Sequence, residues 1–319
     1  MSQRPSGHLR AVTEPPSGPV WAAVELLPGA VQAALVDARG RILRRGQRQF
    51  DPAGPLSGVR VAITGSLDDA GVIGAGWSVT GCGVAAGGII DADAGVIVEI
   101  NDVPCLNGFN VAALLTELVS APVRVEHRAR VQVMGDRWFG PGRGLATFAS
   151  VSTGDTLGVG ILYEGRILAP DGGRSGAHMT VAVGGTRCSC GKSGCWKTVA
   201  TTPWLRSAAA AAGLAADSLP ELERLAADGD AAARSVVLGY AENLAVGLAN
   251  IQQLCTPGLF ILHGEAATAG DEFLGTVERM LIDSTRSATA HDPRVAAASV
   301  GIDDVALLGA AALVIHQGG

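Results

Sequence analysis

The sequence predicts an α/β protein with two lobes, and three observations support this prediction. Apolar segments of strand length alternate with segments of helical periodicity along most of the chain. The 319 residues are enough for two modest domains, each with a core of its own. No repeat of fixed period is evident in the sequence, so the chain is not expected to be a solenoid or propeller.

The first part of the chain is predicted to contain mainly strands. Residues 1–19 are rich in Pro, Ser and Gly and are expected to form a tail or linker. From Val20 onward, two apolar runs separated by a Pro-Gly turn and followed by a second turn predict a β-meander. A buried strand that opens into glycines is expected over 79–90. Residues 108–121 have the spacing of an amphipathic helix that Pro122 ends.

The second part of the chain is predicted to be richer in helices. Its expected strands are 123–127, 145–154, 158–168 and 258–264, and its expected helices are 128–140, 203–214, 219–230, 230–254, 271–286 and 305–317.

Composition and charge restrict the functions that are expected of this chain. The net charge is −6, and no run of Lys or Arg is long enough to cover a face, so no DNA binding by this chain alone is expected. No apolar run reaches the roughly 18 residues that a membrane span needs, and the N-terminus lacks an apolar signal core. A cytoplasmic protein without membrane partners is expected. Its thiols should be reduced: Cys82, Cys105, Cys188, Cys190, Cys195 and Cys255.

Three of these cysteines form a compact cluster. Cys188, Cys190 and Cys195 lie in one Gly-rich segment, and His178 lies a short way upstream. Three cysteines and one histidine are a standard tetrahedral zinc set, and four protein ligands leave no open position to activate water. A structural zinc site is the favoured interpretation. A group of reduced surface thiols and a redox pair of Cys188 and Cys190 are the alternatives.

Several stretches, taken in order, resemble the ROK family of bacterial sugar kinases and sugar-responsive repressors. The cysteine motif is the most specific of them, and the glycine loops alone would be weak evidence. The stretches are 81–115, 151–167, 176–196, 243–265 and 305–313.

The resemblance implies a fold and a domain division. The fold is the two-lobed actin-like, ribonuclease-H-like sugar kinase fold, with a ligand cleft between α/β lobes and a structural zinc loop over 178–195. The N-terminal lobe is expected to be 20–121, completed by the C-terminal helix 303–317, and the C-terminal lobe to be 122–302.

The resemblance also implies a catalytic position, from which this chain departs. In the family, a catalytic aspartate follows an asparagine in a strand-to-helix turn. The asparagine position corresponds to His127 and the aspartate to Arg128. Arginine stays charged at physiological pH and cannot act as a base. An alignment shifted by one residue would place His127 at the base position, where histidine could serve.

The positions that the family uses to bind sugar have also changed. The glutamate of the sugar-binding stretch corresponds to Ser175, whereas the histidine is kept as His178. The glutamate after the last cysteine corresponds to Lys197. The sugar-holding asparagine corresponds to Asp102, and a nearby tryptophan to Leu106.

The nucleotide loops have changed as well. The first phosphate loop, Asp-x-Gly-Gly-Thr in the family, keeps one glycine. The second loop has Thr156 in place of a glycine and carries Asp155, whose charge opposes a triphosphate. The adenosine-side glycine pair reads His-Gly. The remnants of these loops are Glu25, Gly29, Gly154, Asp155, Gly158, Gly160, His263 and Gly264.

These departures predict a ROK protein that is inactive as a kinase and acts as a carbohydrate-sensing or protein-binding regulator. It is expected to hold structural zinc, not to use ATP and Mg²⁺, and to form a dimer or tetramer as family members do. Arginines 128, 130 and 174 are interpreted either as solvated side chains or as a group that binds a sugar-derived anion. The expected ligand-binding residues are Asp102, His127, Arg128, Ser175, His178 and Lys197.

Three further points remain open at the level of sequence. The opening segment QRPSGHLRAV resembles the joint that precedes the ligand domain of ROK repressors, which carry a DNA-binding head. An ATP-dependent sugar kinase of glucokinase or N-acetylhexosamine kinase type, with an altered site, is one alternative function. A structural partner of another ROK protein is the other.

Overall fold

The computed structural model describes residues 18–74, 77–168, 176–286 and 291–315. The chain divides into two compact units, the first formed by 1–126 with 310–319 and the second by 127–309. One division falls within the strand Val123–His127 and the other within the helix Ile302–Ile315. The strand Val123–His127 is part of the first sheet, so unit 1 includes the chain up to residue 126.

Unit 1 is built on a five-stranded sheet in the order β3-β2-β1-β4-β8, with a smaller sheet β5-β6-β7. The predicted meander is present, since β1 pairs antiparallel with β2 and β2 with β3, whereas β4 runs parallel to β1. The elements are β1 (Val20–Leu27), β2 (Ala30–Asp37), β3 (Ile42–Gln49), α1 (Leu56–Asp69), β4 (Val79–Ala86), β5 (Ile89–Asp91), β6 (Val96–Glu99), β7 (Phe109–Asn110), α2 (Val111–Val119) and β8 (Val123–His127).

Unit 2 repeats this plan with a second five-stranded sheet in the order β11-β10-β9-β12-β13. Again three strands form an antiparallel meander, and the next strand, β12, runs parallel to the first. The elements are α3 (Arg128–Phe139), β9 (Phe148–Thr153), β10 (Leu157–Tyr163), β11 (Arg166–Ile167), α4 (Thr202–Ala211), α5 (Leu219–Ala227), α6 (Ala231–Cys255), β12 (Leu259–Gly264), α7 (Asp271–Thr285) and β13 (Arg294–Ala297). The last helix, α8 (Ile302–Ile315), belongs to unit 2 up to residue 309 and to unit 1 from Ala310 onward.

Glycines let the helices approach the sheets closely. An added Cβ at Gly160 in β10 would lie 2.1 Å from the carbonyl oxygen of Ala129 in α3, and one at Gly83 in β4 would lie 1.8 Å from that of Ala310 in α8. Only a residue without a side chain fits at either position. Gly158, also in β10, faces Ala129 in the same way at 3.1 Å. Gly158 and Gly160 therefore allow β10 to pack closely against α3.

The core of each unit consists mainly of Ala, Val, Leu and Ile, as the low aromatic content predicts. The exceptions in unit 2 include Trp196 and Tyr240, which are both fully buried. In the part of the chain that the structure describes, no helix combines the length and apolarity needed to cross a membrane.

Candidate functional site

The predicted zinc ligands come together in unit 2. The ligand atoms of His178, Cys188, Cys190 and Cys195 all lie within 4.8 Å of one another. The Sγ atom of Cys188 is 3.7 Å from Nδ1 of His178, and the Sγ atoms of Cys190 and Cys195 are 3.6 Å apart. All six cysteines lie among the described residues, and none is in a disulfide.

A small hairpin holds three of these ligands. Bridges join Thr180 to Cys195 and Arg187 to Ser193, and the amide of Cys188 donates to the carbonyl of Lys192 at 2.7 Å. At Gly194, φ is +74°, and an added Cβ would lie 1.7 Å from the carbonyl oxygen of Ala182. The Gly-rich spacing of the motif is therefore what allows the turn that gathers the cysteines.

The residue after the last cysteine fixes this hairpin to the core of unit 2. Trp196 is fully buried, and its indole Nε1 donates to the carbonyl of Asn243 in α6 at 2.7 Å. Its ring lies over Gly247, where an added Cβ would be 2.0 Å from the ring. Cys195 is thus held in place by packing as well as by the hairpin.

The donor set fits a tetrahedral zinc ion. Zn–S bonds of ~2.3 Å in a tetrahedron place two sulfur atoms about 3.8 Å apart, close to the spacing of Cys190 and Cys195. Burial, and the neighbouring Cys190 and Cys188 thiols, raise the pKa of Cys195 to about 12. A bound dication reverses this situation, because it stabilises thiolates. A zinc ion here would have four protein ligands and would stabilise the loop rather than activate water.

The predicted base position lies at the start of α3. His127 is the N-cap residue, and its Nδ1 accepts a hydrogen bond from the amide of Ala129 at 3.3 Å. Burial, followed by the charges of Arg130 and Arg128, lowers the pKa of His127 to about 4. At neutral pH the imidazole is therefore uncharged, while two guanidinium groups occupy the first turn of the helix.

The remnants of the second phosphate loop and of the adenosine-side loop meet in unit 2. Gly154 and Asp155 lie in the turn between β9 and β10, and Asp155 is exposed. The amide of Thr202, the first residue of α4, donates to the carbonyl of Gly154 at 2.9 Å. At Gly264, φ is +71°, and an added Cβ would lie 2.1 Å from the carbonyl oxygen of Thr153. The ends of β9 and β12 are therefore in close contact.

His263 points away from this loop into the core, which the sequence did not indicate. His263 and Asp136 are both fully buried, and Nε2 of the histidine is 2.7 Å from Oδ2 of the aspartate. The Ser150 hydroxyl donates to the same carboxylate oxygen at 2.6 Å. Among the described residues, Oδ1 of Asp136 and Nδ1 of His263 have no hydrogen-bond partner. This buried pair joins α3, β9 and β12.

The other predicted positions are distributed as follows. In unit 1, Glu25 is buried in β1, Gly29 lies in the β1–β2 turn with φ of +84°, and Asp102 is exposed after β6. In unit 2, Lys197 is half-buried, with Nζ 3.4 Å from the Ser189 hydroxyl. The expected ligand position Ser175 and the basic residue Arg174 lie outside the described residues.

Comparisons with known proteins agree with this architecture. The chain is 29% identical to a glucokinase of Halalkalibacterium halodurans over 74% of this chain and 76% of the glucokinase. It is 23% identical to a xylose repressor of Caldicellulosiruptor bescii over 75% of this chain, but it matches only 63% of the repressor's length.

Solved structures show the same fold. A ROK family glucokinase from Streptomyces griseus, solved with glucose and AMPPNP, superposes with a TM-score of 0.77 at 24% identity, over 92% of this chain and 98% of that one. A ROK family transcriptional regulator, a homologue of the Escherichia coli MLC protein, superposes with a TM-score of 0.81 at 19% identity, over 94% and 78% of the two chains. The sequence model of the ROK family matches residues 23–317. The chain belongs to the ROK family and has the fold of its sugar kinases.

Proposed function

We propose that this ROK protein does not phosphorylate sugars and acts instead as a carbohydrate-binding regulator. The observation that carries the proposal is the arginine at the position of the family's catalytic aspartate. Arg128 is the first residue of α3, directly after the N-cap residue His127. Arg128 directly follows β8, and the resemblance assigns the base to a turn from a strand to a helix, which supports the proposal.

A kinase base must accept the proton of a sugar hydroxyl near neutral pH. Arg128 cannot do so, because guanidinium stays charged. The neighbouring His127 is a poor substitute, since a pKa of about 4 makes it a weak base and its Nδ1 lone pair already accepts the amide of Ala129. The start of α3 therefore lacks a group that would deprotonate a hydroxyl effectively.

The same turn suggests an anionic ligand. The N-terminus of a helix carries a partial positive charge, and Arg128 and Arg130 add two full charges in the first turn. A sugar phosphate or a sugar acid has the chemistry to bind there, whereas a neutral hexose gains nothing from these charges.

The relatives include repressors and kinases, and each group supports one of the two candidate functions. Similarity to a xylose repressor and to a transcriptional regulator supports a regulatory role. Similarity to a glucokinase, at 29% identity, supports the alternative of an ATP-dependent sugar kinase with an altered site. We further propose that the cysteine loop holds a structural zinc ion and that the chain forms oligomers.

Thermal unfolding tests the ligand part of the proposal. The protein is heated with neutral hexoses, N-acetylhexosamines, sugar phosphates and sugar acids. A ligand that binds only the native state stabilises it by RT ln(1 + [L]/Kd) and so raises the unfolding midpoint. We expect a sugar-derived anion to raise the midpoint and the variant Arg128→Gln to lose most of that rise. An unchanged midpoint across the whole panel would contradict a sensing role.

A further inference from the structure

The N-terminus of α5 is capped by a residue from a distant part of the chain. Ser218 is the N-cap residue of α5, but its side chain makes no capping hydrogen bond. Instead, the amide of Leu219 donates to Oε1 of Glu265, at 2.5 Å. A carboxylate thus lies at the positive end of this helix.

A hydroxyl group from another helix lies near the same carboxylate. The hydroxyl of Thr202, the first residue of α4, lies 3.4 Å from Oε2 of Glu265. The fully buried Tyr240 hydroxyl makes no hydrogen bond among the described residues. Burial, above all, raises the pKa of Tyr240; the nearby Glu265 carboxylate adds to the rise, and the Thr153 side chain opposes it.

These groups form a set of donors around one anion. The Leu219 amide and the Thr202 hydroxyl can both donate to this carboxylate, and they come from two different helices, α5 and α4. Converging donors at a helix N-terminus are the usual means by which proteins bind phosphate groups. Here the anion is supplied by the chain itself.

The position of this carboxylate coincides with the remnants of the nucleotide loops. Glu265 directly follows His263 and Gly264, and the amide of Ala266 donates to the Thr153 hydroxyl at 2.8 Å. Thr202, which touches Glu265, also donates its amide to Gly154 in the second phosphate loop. A phosphate group near these loops would meet the Glu265 carboxylate.

We propose that Glu265 is an internal occupant of an anion site, so that its carboxylate excludes phosphate groups from the donors at the start of α4 and α5. This inference rests on the proposed lack of kinase activity and deepens it, because it names a second reason why a nucleotide would not bind. It assigns the latent site to phosphate, either free or as part of a nucleotide.

Isothermal titration of the full chain with inorganic phosphate, ADP and adenosine tests this inference. Glu265→Ala removes the carboxylate and opens the site, and Glu265→Gln removes the charge but keeps an acceptor for the Leu219 amide. We expect phosphate or ADP to bind at least tenfold more tightly to Glu265→Ala than to the wild type, and Glu265→Gln to show a smaller gain. A gain for ADP alone identifies the nucleotide, a gain for both identifies the phosphate group, and a gain for adenosine alone would overturn the assignment.

A second carboxylate provides a matched control. Glu223 accepts the amide of Gly270, the N-cap residue of α7, at 3.0 and 3.2 Å, and it lies apart from the loop remnants. Glu223→Ala should gain no phosphate affinity. Equal gains in the two alanine variants, or no gain in either Glu265 variant while both keep the circular dichroism of the wild type, would overturn the inference.

The wild-type protein is assayed for ATP turnover in parallel. Turnover would contradict the proposed function itself. An inactive wild type together with a Glu265→Ala variant that gains no phosphate affinity would overturn the Glu265 inference alone.

Discussion

The buried pair of Asp136 and His263 permits a quantitative prediction about unit 2. Its two side chains are fully buried, 2.7 Å apart, and come from α3 and β12. Removing one partner of a buried pair leaves the other without compensation and typically costs about 3–5 kcal/mol. We expect Asp136→Ala and His263→Ala each to lower the free energy of unfolding by that amount. Asp136→Ala also removes the acceptor of the Ser150 hydroxyl.

The double variant separates the pair from the rest of the core. Because Asp136→Ala/His263→Ala leaves no lone partner, its loss should be smaller than the sum of the two single losses by about 1–3 kcal/mol. Ser150→Ala is the matched control, since it removes one hydrogen bond to the carboxylate and leaves the pair intact. Ser150→Ala should lower the free energy of unfolding by about 0.5–1.5 kcal/mol, the usual net contribution of one hydrogen bond.

Guanidinium unfolding followed by circular dichroism measures these four variants against the wild type. Additive losses in the double variant would refute the argument, because they would mean that the two side chains stabilise unit 2 independently. Single losses below about 1 kcal/mol would refute it as well.

Three further predictions follow from the zinc loop and from α3. Purified protein should contain one zinc ion per chain by elemental analysis. Cys195→Ser should lose this ion and unfold at a lower temperature, whereas Cys255→Ser, at the end of α6, should keep the ion. Gly247→Ala in α6 should lower the free energy of unfolding by about 1–3 kcal/mol, because the added Cβ would overlap the Trp196 ring. Gly239→Ala in the same helix is the control: the nearest atom to its Cβ would be 3.6 Å away, so thermal unfolding should show no loss or a small gain in stability. The folded-state pKa of His127 is about 4, below its ordinary value of 6.5, so the unfolded chain binds the proton first as pH falls. Neutral His127 therefore makes its full contribution to the free energy of unfolding above about pH 6.5, and this contribution is lost progressively as the pH falls to about 4. At pH 5 the free energy of unfolding should be lower by ~2 kcal/mol than above pH 6.5. His127→Asn should flatten that part of the pH profile, and an identical profile in the variant would exclude His127 as its source.

Local patterns predicted most of the secondary structure but missed α1, β13 and the short strands β6 and β7. Residues 56–69 contain two glycines and several β-branched residues, which favour a helix poorly. The helix forms because it packs against β3, where Gly46 leaves room: an added Cβ there would lie 2.0 Å from the Ser66 carbonyl. β13 has four residues and is defined by its pairing with β12, which the sequence alone does not reveal.

The same distinction applies to the candidate sites. The four zinc ligands lie within one short segment, so their spacing was sufficient to predict that they meet. Asp136 and His263 are separated by 127 positions, and no local pattern joins them. Glu265 was overlooked although it directly follows the His-Gly remnant. An acidic residue at the end of a buried strand, where the family places glycines, was the signal that could have identified it.

The central claim is that this ROK chain lacks kinase activity because its base position holds an arginine. A coupled assay of ADP release, with hexoses and N-acetylhexosamines as acceptors and with ATP and Mg²⁺ present, tests it most directly. We expect no sugar-dependent ADP release above the rate without protein. Sugar-dependent release that disappears in His127→Ala would contradict it and would identify the chain as a kinase with a histidine base.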